Sequence, residues 1–183
     1  DPRAAARGRR HPGRPHRRAG APPVLDAINA LVDKSLLRTW LPEATRRLDI
    51  TEPFFGMYLS IREYASEKLH LSDEPSAAAT EQRHGRYFAR FGSDDALDAL
   101  QMHGGIARRR TLALELENLV SACRRAGQRG ESEVAAACFL AAWAILEAQG
   151  PFALAATLGR QVAALSGLGP HARARVQIAA ASA

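Results

Sequence analysis

Six histidines and two cysteines are the side chains here best suited to metal binding or nucleophilic chemistry, and their spacing gathers none of them into a site. His11 and His16 fall in an arginine-rich N-terminal stretch, and His70, His84, His103 and His171 fall in separate helices or linkers. No two of them have the spacing that a tetrahedral metal site needs. Cys123 and Cys138 each lie on the apolar stripe of a helix, where a thiol serves as a small hydrophobe, and one pair of cysteines makes neither a disulfide framework nor a zinc site. A catalytic Cys–His pair would need an electropositive cleft to lower the thiol pKa, and nothing in the sequence argues for one. The phosphate loop G-x-x-x-x-G-K-[ST] is absent, as is an apolar strand ending in paired carboxylates for magnesium. The expectation is therefore a protein that is not an enzyme, with no catalytic, cofactor-binding or metal-binding residue to nominate and no cofactor.

Charge is the next candidate for function. The chain of 183 residues carries a net +6. Residues 1–23 hold seven arginines and one acid, so the remaining 160 residues carry 18 basic and 18 acidic side chains and are neutral. The arginine-rich stretch has no apolar side chain larger than alanine and is rich in proline and glycine, so it is expected to be a disordered basic tail. A phosphate-binding arm, a flexible linker and a start translated out of GC-rich DNA compete as readings; the composition favours the second and third. Within the neutral body, Arg108-Arg109-Arg110 and Arg124-Arg125 are the basic clusters, and Glu115, Glu117, Glu131 and Glu133 flank them. That interleaving predicts a solvated, salt-bridged face rather than a phosphate groove.

The elements that would position these residues are mostly helical. Aromatics are only 6% and alanine is frequent, which suits closely packed helices and disfavours an all-β fold. Val24, Ile28, Leu31, Val32 and Leu36 follow a helical period and predict an amphipathic helix over 24–37; Ile61, Tyr64, Ala65 and Leu69 predict a second. Between them a strand through residues 37–40, a turn around 42–45, a strand over 47–50 and a final strand over 54–59 make a small β-hairpin of two or three strands, with Pro53 permitting a break. Helix, short strands, helix is the outline of a winged-helix unit.

Beyond a polar linker, HLSDEPS, the rest reads as helix. Thr80, His84, Tyr87, Phe88 and Phe91 form one stripe, and Ser93 is set to cap a short helix with Leu97 and Leu100 that ends at Gly104-Gly105. The next stripes are Leu112, Leu116, Leu119, Val120 and Cys123; Val134, Ala137, Cys138, Ala141 and Ile145; and Leu154, Leu158, Val162 and Leu165. Gly130, Gly150 and Gly169 lie 20 and 19 residues apart, and Gly150-Pro151 and Gly169-Pro170 separate one helix from the next. Helix starts at a fixed interval predict stacked helical hairpins, with a two-helix period longer than the roughly 34 residues of a tetratricopeptide repeat. A last helix from about residue 171 meets no stop signal before Ala183, so the array is expected to be truncated there and to expose Val176 and Ile178 where a further repeat would dock.

Two lines of sequence carry a resemblance. Ile28-Asn29-Ala30-Leu31-Val32-Asp33-Lys34-Ser35-Leu36-Leu37 precedes the hairpin, and Ile61-Arg62-Glu63-Tyr64-Ala65-Ser66-Glu67-Lys68-Leu69 follows it. In this order the chain resembles the winged-helix part of bacterial signal-transduction ATPases with numerous domains, the STAND class. Glu115, Asn118, Leu119 and Ala122 are similar to the segment that leads into the helical repeats of those proteins. The resemblance implies residues 24–70 as a winged-helix-like domain and 76–183 as the start of a tetratricopeptide-like region, with the ATPase core absent. It also implies a regulatory role, in a signalling ATPase or transcriptional regulator, that couples a nucleotide-binding core of the same parent protein to a helical-repeat sensor arm. Protein partners or an effector would bind through the repeats. Related ATPases place Met-His-Asp, a nucleotide contact, where this chain has Met57-Tyr58-Leu59, so the strand is expected to pack in a core instead.

The alternative is a free-standing winged-helix DNA-binding regulator with a basic N-terminal arm. A DNA reader would put several basic or amide side chains on one exposed helical face, and the 24–37 helix offers Asp26, Asn29, Asp33 and Lys34. DNA is therefore an unfavoured partner for this segment. No apolar run long enough to span a membrane and no signal-peptide pattern stand out, so no membrane partner is expected, and a reducing cytoplasm is the expected location.

Overall fold

The computed structural model describes residues 23–41, 53–71 and 74–182. It is mainly helical with one small antiparallel sheet. In chain order the elements are α1 (Val24–Asp33), β1 (Arg38–Trp40), β2 (Phe54–Gly56), α2 (Leu59–Leu71), α3 (Glu74–Ala89), α4 (Asp94–Asp98), α5 (Gly105–Ala113), α6 (Leu116–Gln128), α7 (Ser132–Gln149), α8 (Phe152–Ala163) and α9 (Pro170–Ala181). The expected turn at 42–45 and strand at 47–50 lie outside the described residues.

α1 ends four residues sooner than its apolar stripe predicts. Ser35 enters the left-handed region at φ 57°, its N–H donates to the Val32 carbonyl at 2.8 Å, and the Leu36 N–H donates to the Leu31 carbonyl at 2.9 Å. This pair of crossed bonds satisfies carbonyls that the helix end leaves open and turns the chain into β1. β1 and β2 pair with Arg38 opposite Gly56 and Trp40 opposite Phe54. With no side chain at Gly56, the Trp40 ring lies diagonally across it, 2.6 Å from where a Cβ would sit.

The expected linker at 70–76 is largely helical instead. α2 runs on through His70 and Leu71, and α3 opens at Glu74. Pro75 is no obstacle as the second residue of α3, since the first turn needs no N–H from it. Ser93 caps α4 as its sequence predicts, accepting a hydrogen bond from the Ala96 N–H at 3.3 Å. The stripe from Leu112 to Cys123 is divided between two helices. The Leu114 and Glu115 N–H groups bond back only three residues, to Thr111 and Leu112, and this tighter turn ends α5 before α6 begins.

α7 is the hub. It packs on α6, α8, α9, α3, α5 and the 3-10 turn Arg90–Gly92, while α6 also touches α3 and α8. Its buried residues include Ala135, Ala136, Cys138, Phe139, Ala141, Ala142, Ile145 and Leu146. Alanines let several helices approach one axis, and each large apolar side chain fully buried there contributes roughly 1.5–3 kcal/mol. α7 is long and apolar enough to cross a membrane, which its alanine-rich sequence does not advertise, but 61% of it is buried against its neighbours. It is the core helix of this bundle.

α9 corrects an expectation. Val176 is 0% exposed and Ala179 4%, because α9 folds back onto α7 and α8; only Ile178 lies on the surface, at 69%. Asp94 at the start of α4 pairs with Arg175 and with His171, whose Nε2 lies 3.1 Å from a carboxylate oxygen. The helix that opened as an uncovered end is thus closed by contacts from 77 and 81 residues earlier in the chain.

Candidate interaction surfaces

Every buried apolar residue described lies between Ala77 and Ala179. Neither α1 nor α2 contains a buried residue. Eleven of the sixteen large hydrophobics that are exposed among the described residues come before residue 72, including Val24, Leu25, Trp40, Phe55, Tyr64 and Leu71. These exposed apolar side chains make this part of the chain its candidate interaction surface.

The hairpin gives this surface some order. The Arg38 guanidinium lies 5.3 Å from the ring centres of both Trp40 and Tyr58, and Trp40 meets Phe54 at a centroid distance of 6.5 Å. Both distances are within cation–π range, so the arginine ties β1 to the residues that follow β2. The core packing expected of Met57, Tyr58 and Leu59 is overturned: they are 38%, 58% and 59% exposed. Strand β2 ends at Gly56, so these three residues leave the sheet before its pairing could bury them.

Where α2 meets the bundle, an ion cluster forms that sequence reading missed. Arg129 donates to Glu81 at 2.9 Å and to Glu131 at 3.0 Å, the Gln82 amide donates to Glu131 at 2.9 Å, and Arg125 lies 3.6 Å from Glu81. His70 of α2 approaches the same Glu81 carboxylate at 3.7 Å. The Arg129, Glu81 and Glu131 side chains are only 16–21% exposed, so the pairs are partly shielded from water. The Arg129 hydrogen bond holds the Glu131 carboxyl below its ordinary range against the opposing effect of burial. His84 lies beside the cluster with its Nδ1 buried and unpartnered, and burial, reinforced by Arg125 and Arg129, lowers its pKa. Glu81 lies 48 residues from Arg129 and Gln82 lies 49 from Glu131, so no local pattern marks the cluster.

The sequence-singled residues scatter. The basic clusters do not form the expected salt-bridged face. Arg108 donates to the Ala99 and His103 carbonyls, Arg109 to the Leu100 and Ala144 carbonyls, and Arg125 alone of them reaches a carboxylate. Glu117 faces Arg62 at 4.0 Å and Glu133 accepts from the Gly169 N–H. Cys123 and Cys138 are buried free thiols, both pushed up to about 12 by burial, and are apolar filling. Among the described residues no group of three His, Cys, Asp or Glu side chains could hold a metal ion. No family model, curated protein or solved structure matches the chain.

Proposed function

We propose that this chain is a non-catalytic regulatory and interaction segment of a STAND-type signalling ATPase or transcriptional regulator. Residues 24–70 form its winged-helix-like unit, which docks on a nucleotide-binding core of the same parent protein in the cytoplasm. The helices from residue 76 onward form the sensor arm that meets protein partners or an effector.

The observation that carries this reading is the exposed apolar surface of α1, the hairpin and α2, set beside a bundle that holds every buried apolar residue described. Among its described residues this unit has no fully buried side chain, so we read it as stabilised in part by a partner, and the two sequence lines that resemble the STAND class suggest which one. The packing order supports the repeat arm: α6 on α7, α7 on α8 and α8 on α9, with α6 beside α8 and α7 beside α9, is the order that stacked helical hairpins require. Conformational change in the core would then be passed mechanically, through α2 and the Glu81 cluster, to the bundle.

The reading is tested by the coding DNA upstream of Asp1 and by the protein it encodes. A phosphate loop in frame within several hundred residues is expected, and co-expression of that core with residues 24–183 should give a stable complex that hides Trp40 and Tyr58 from solvent. An open frame without a phosphate loop sinks the proposal. The DNA-binding alternative predicts duplex affinity that falls steeply with salt. Deletion of residues 1–23 should remove whatever duplex affinity the chain has, because the body is neutral; tight binding by the shortened chain would contradict that charge balance, and no affinity in either form would discard the alternative.

A further inference from the structure

Between α6 and α8 the bundle surface opens into a cavity of about 280 Å3. Its floor is apolar: Cys123 and Val162 are each 2% exposed, and Leu165 closes one side. Its rim is polar and unengaged. Arg124, Gln128 and Gln161 line it, all three exposed, with no side-chain hydrogen bond or ion pair among the described residues. No carboxylate lines the cavity, so the Arg124 charge is uncompensated there, whereas neighbouring Arg125 is drawn off to Glu81.

Gly127 supplies an independent observation. It sits in the last turn of α6, where glycine weakens a helix relative to alanine. At Gly159 a Cβ would lie 2.8 Å from the Ala180 Cβ, so packing demands the glycine, and at Gly85 it would lie a tight 3.2 Å from Val134. At Gly127 the nearest atom to an added Cβ would be the Leu165 Cδ1 at 3.9 Å, an ordinary contact. Packing does not demand the glycine. Gly127 lines the cavity, and its missing side chain leaves that space free.

We propose that this cavity is a docking pocket for a protein segment in which one apolar side chain is flanked by carboxylates. The space lies just below the range of ligand pockets, roughly 300 to 1,000 Å3, and suits a single side chain rather than a whole cofactor. Arg124 takes a flanking carboxylate through a charge-assisted hydrogen bond. Gln128 and Gln161 each carry an amide donor and acceptor, the complement of an extended peptide's C=O and N–H. The proposal deepens the reading of the helices as a partner-binding arm, and it is independent of whether a nucleotide-binding core exists.

The test uses the full chain and a fluorescein-labelled pentapeptide with a central leucine between pairs of glutamates, read by fluorescence anisotropy. Saturable binding is expected, with at least a tenfold loss when lysines replace the glutamates or serine replaces the leucine. Arg124→Glu should cost tenfold or more without moving the Tm. Gly127→Ala should weaken binding and raise the Tm by a few degrees, and Gly127→Leu should abolish binding by filling the cavity. Equal binding of the glutamate and lysine peptides, no saturation with any of them, or a Tm lowered by Gly127→Ala would overturn the pocket. Arg124-dependent binding of a short single-stranded oligonucleotide in place of the peptide would overturn its assignment to a protein segment. Failure here leaves the regulatory reading standing, because that reading is tested on the upstream core.

Discussion

Ser35 holds a left-handed backbone that glycine would adopt without cost, and its Cβ strains the turn that ends α1. Ser35→Gly should therefore strengthen that end by about 1 kcal/mol, read as slower hydrogen exchange at the Leu36 and Leu37 amides; faster exchange would mean that the serine side chain supports the turn. His84 makes a prediction about pH. Its imidazole is held below the ordinary 6.5, by burial first and then by Arg125 and Arg129, against smaller opposing effects of Glu81 and Glu115. Between the lowered folded value and 6.5 the unfolded chain binds a proton that the folded chain refuses, so stability falls as pH drops through that window. His84→Leu removes the buried, unpartnered Nδ1 as well, and the variant should lose less stability than the parent between about pH 7.5 and pH 5; parallel curves from urea titration would exclude His84. Glu131 acts lower down: its depressed carboxyl contributes fully above its ordinary 4.5, and that contribution is lost as pH falls through the folded value. Local chemistry of this kind was legible in part. Ser93 announced its cap, but neither the burial of His84 nor its arginine neighbours follows from a stripe of apolar residues, because both depend on α6 lying against α3.

At the scale of elements, helix ends were readable wherever a residue type enforces them. Gly130 ends α6 at φ 74°, with its N–H and that of Glu131 bonded to the Gly127 and Ala126 carbonyls, and Pro170 opens α9. The division of α5 from α6 at Leu114 and Glu115 was not readable, since it is made by shortened hydrogen bonds in residues that also favour helix. Nor was the closure of α9. A stripe shows that Val176 wants burial and not which helix buries it, and α7 and α8 do so. The junction depends on Gly159, where a Cβ would press on Ala180 of α9 and the Phe139 ring of α7 at 2.8 and 3.1 Å. Gly159→Val should destabilise the bundle by about 1–3 kcal/mol through overpacking. The loss should appear first in α9, as faster hydrogen exchange at Val176 and Ala179, with α7 following only on global unfolding. Unchanged protection in α9 would mean that the helix can shift outward at no cost.

For the whole molecule, the sequence shows a change across residues 70–76 from a helix–hairpin–helix pattern to regularly punctuated helices. The unequal share of the core was not, because amphipathic stripes look alike whether or not a partner is present. α1 has an apolar face as well formed as that of α6, yet α6 buries Leu119, Val120, Ala122, Cys123 and Ala126 while α1 buries nothing. Among the described residues the ion pairs between the two parts are His70 with Glu81 and Arg62 with Glu117 at 4.0 Å, beside the contact of α2 with α3. Exposed pairs such as Arg62–Glu117 contribute at most about 1 kcal/mol. A fragment of residues 74–183 should therefore fold by itself, with a cooperative thermal transition within a few degrees of that of the whole chain. A fragment of residues 24–71 should show little fixed structure, since a small hairpin and two helices with no shared core cannot offset their ordering entropy. Circular dichroism melts of the two pieces decide the matter. If the N-terminal fragment melts cooperatively, the exposed apolar surface is not waiting for a partner; if the C-terminal fragment fails to fold, α2 and the Glu81 cluster hold the bundle together rather than connect it.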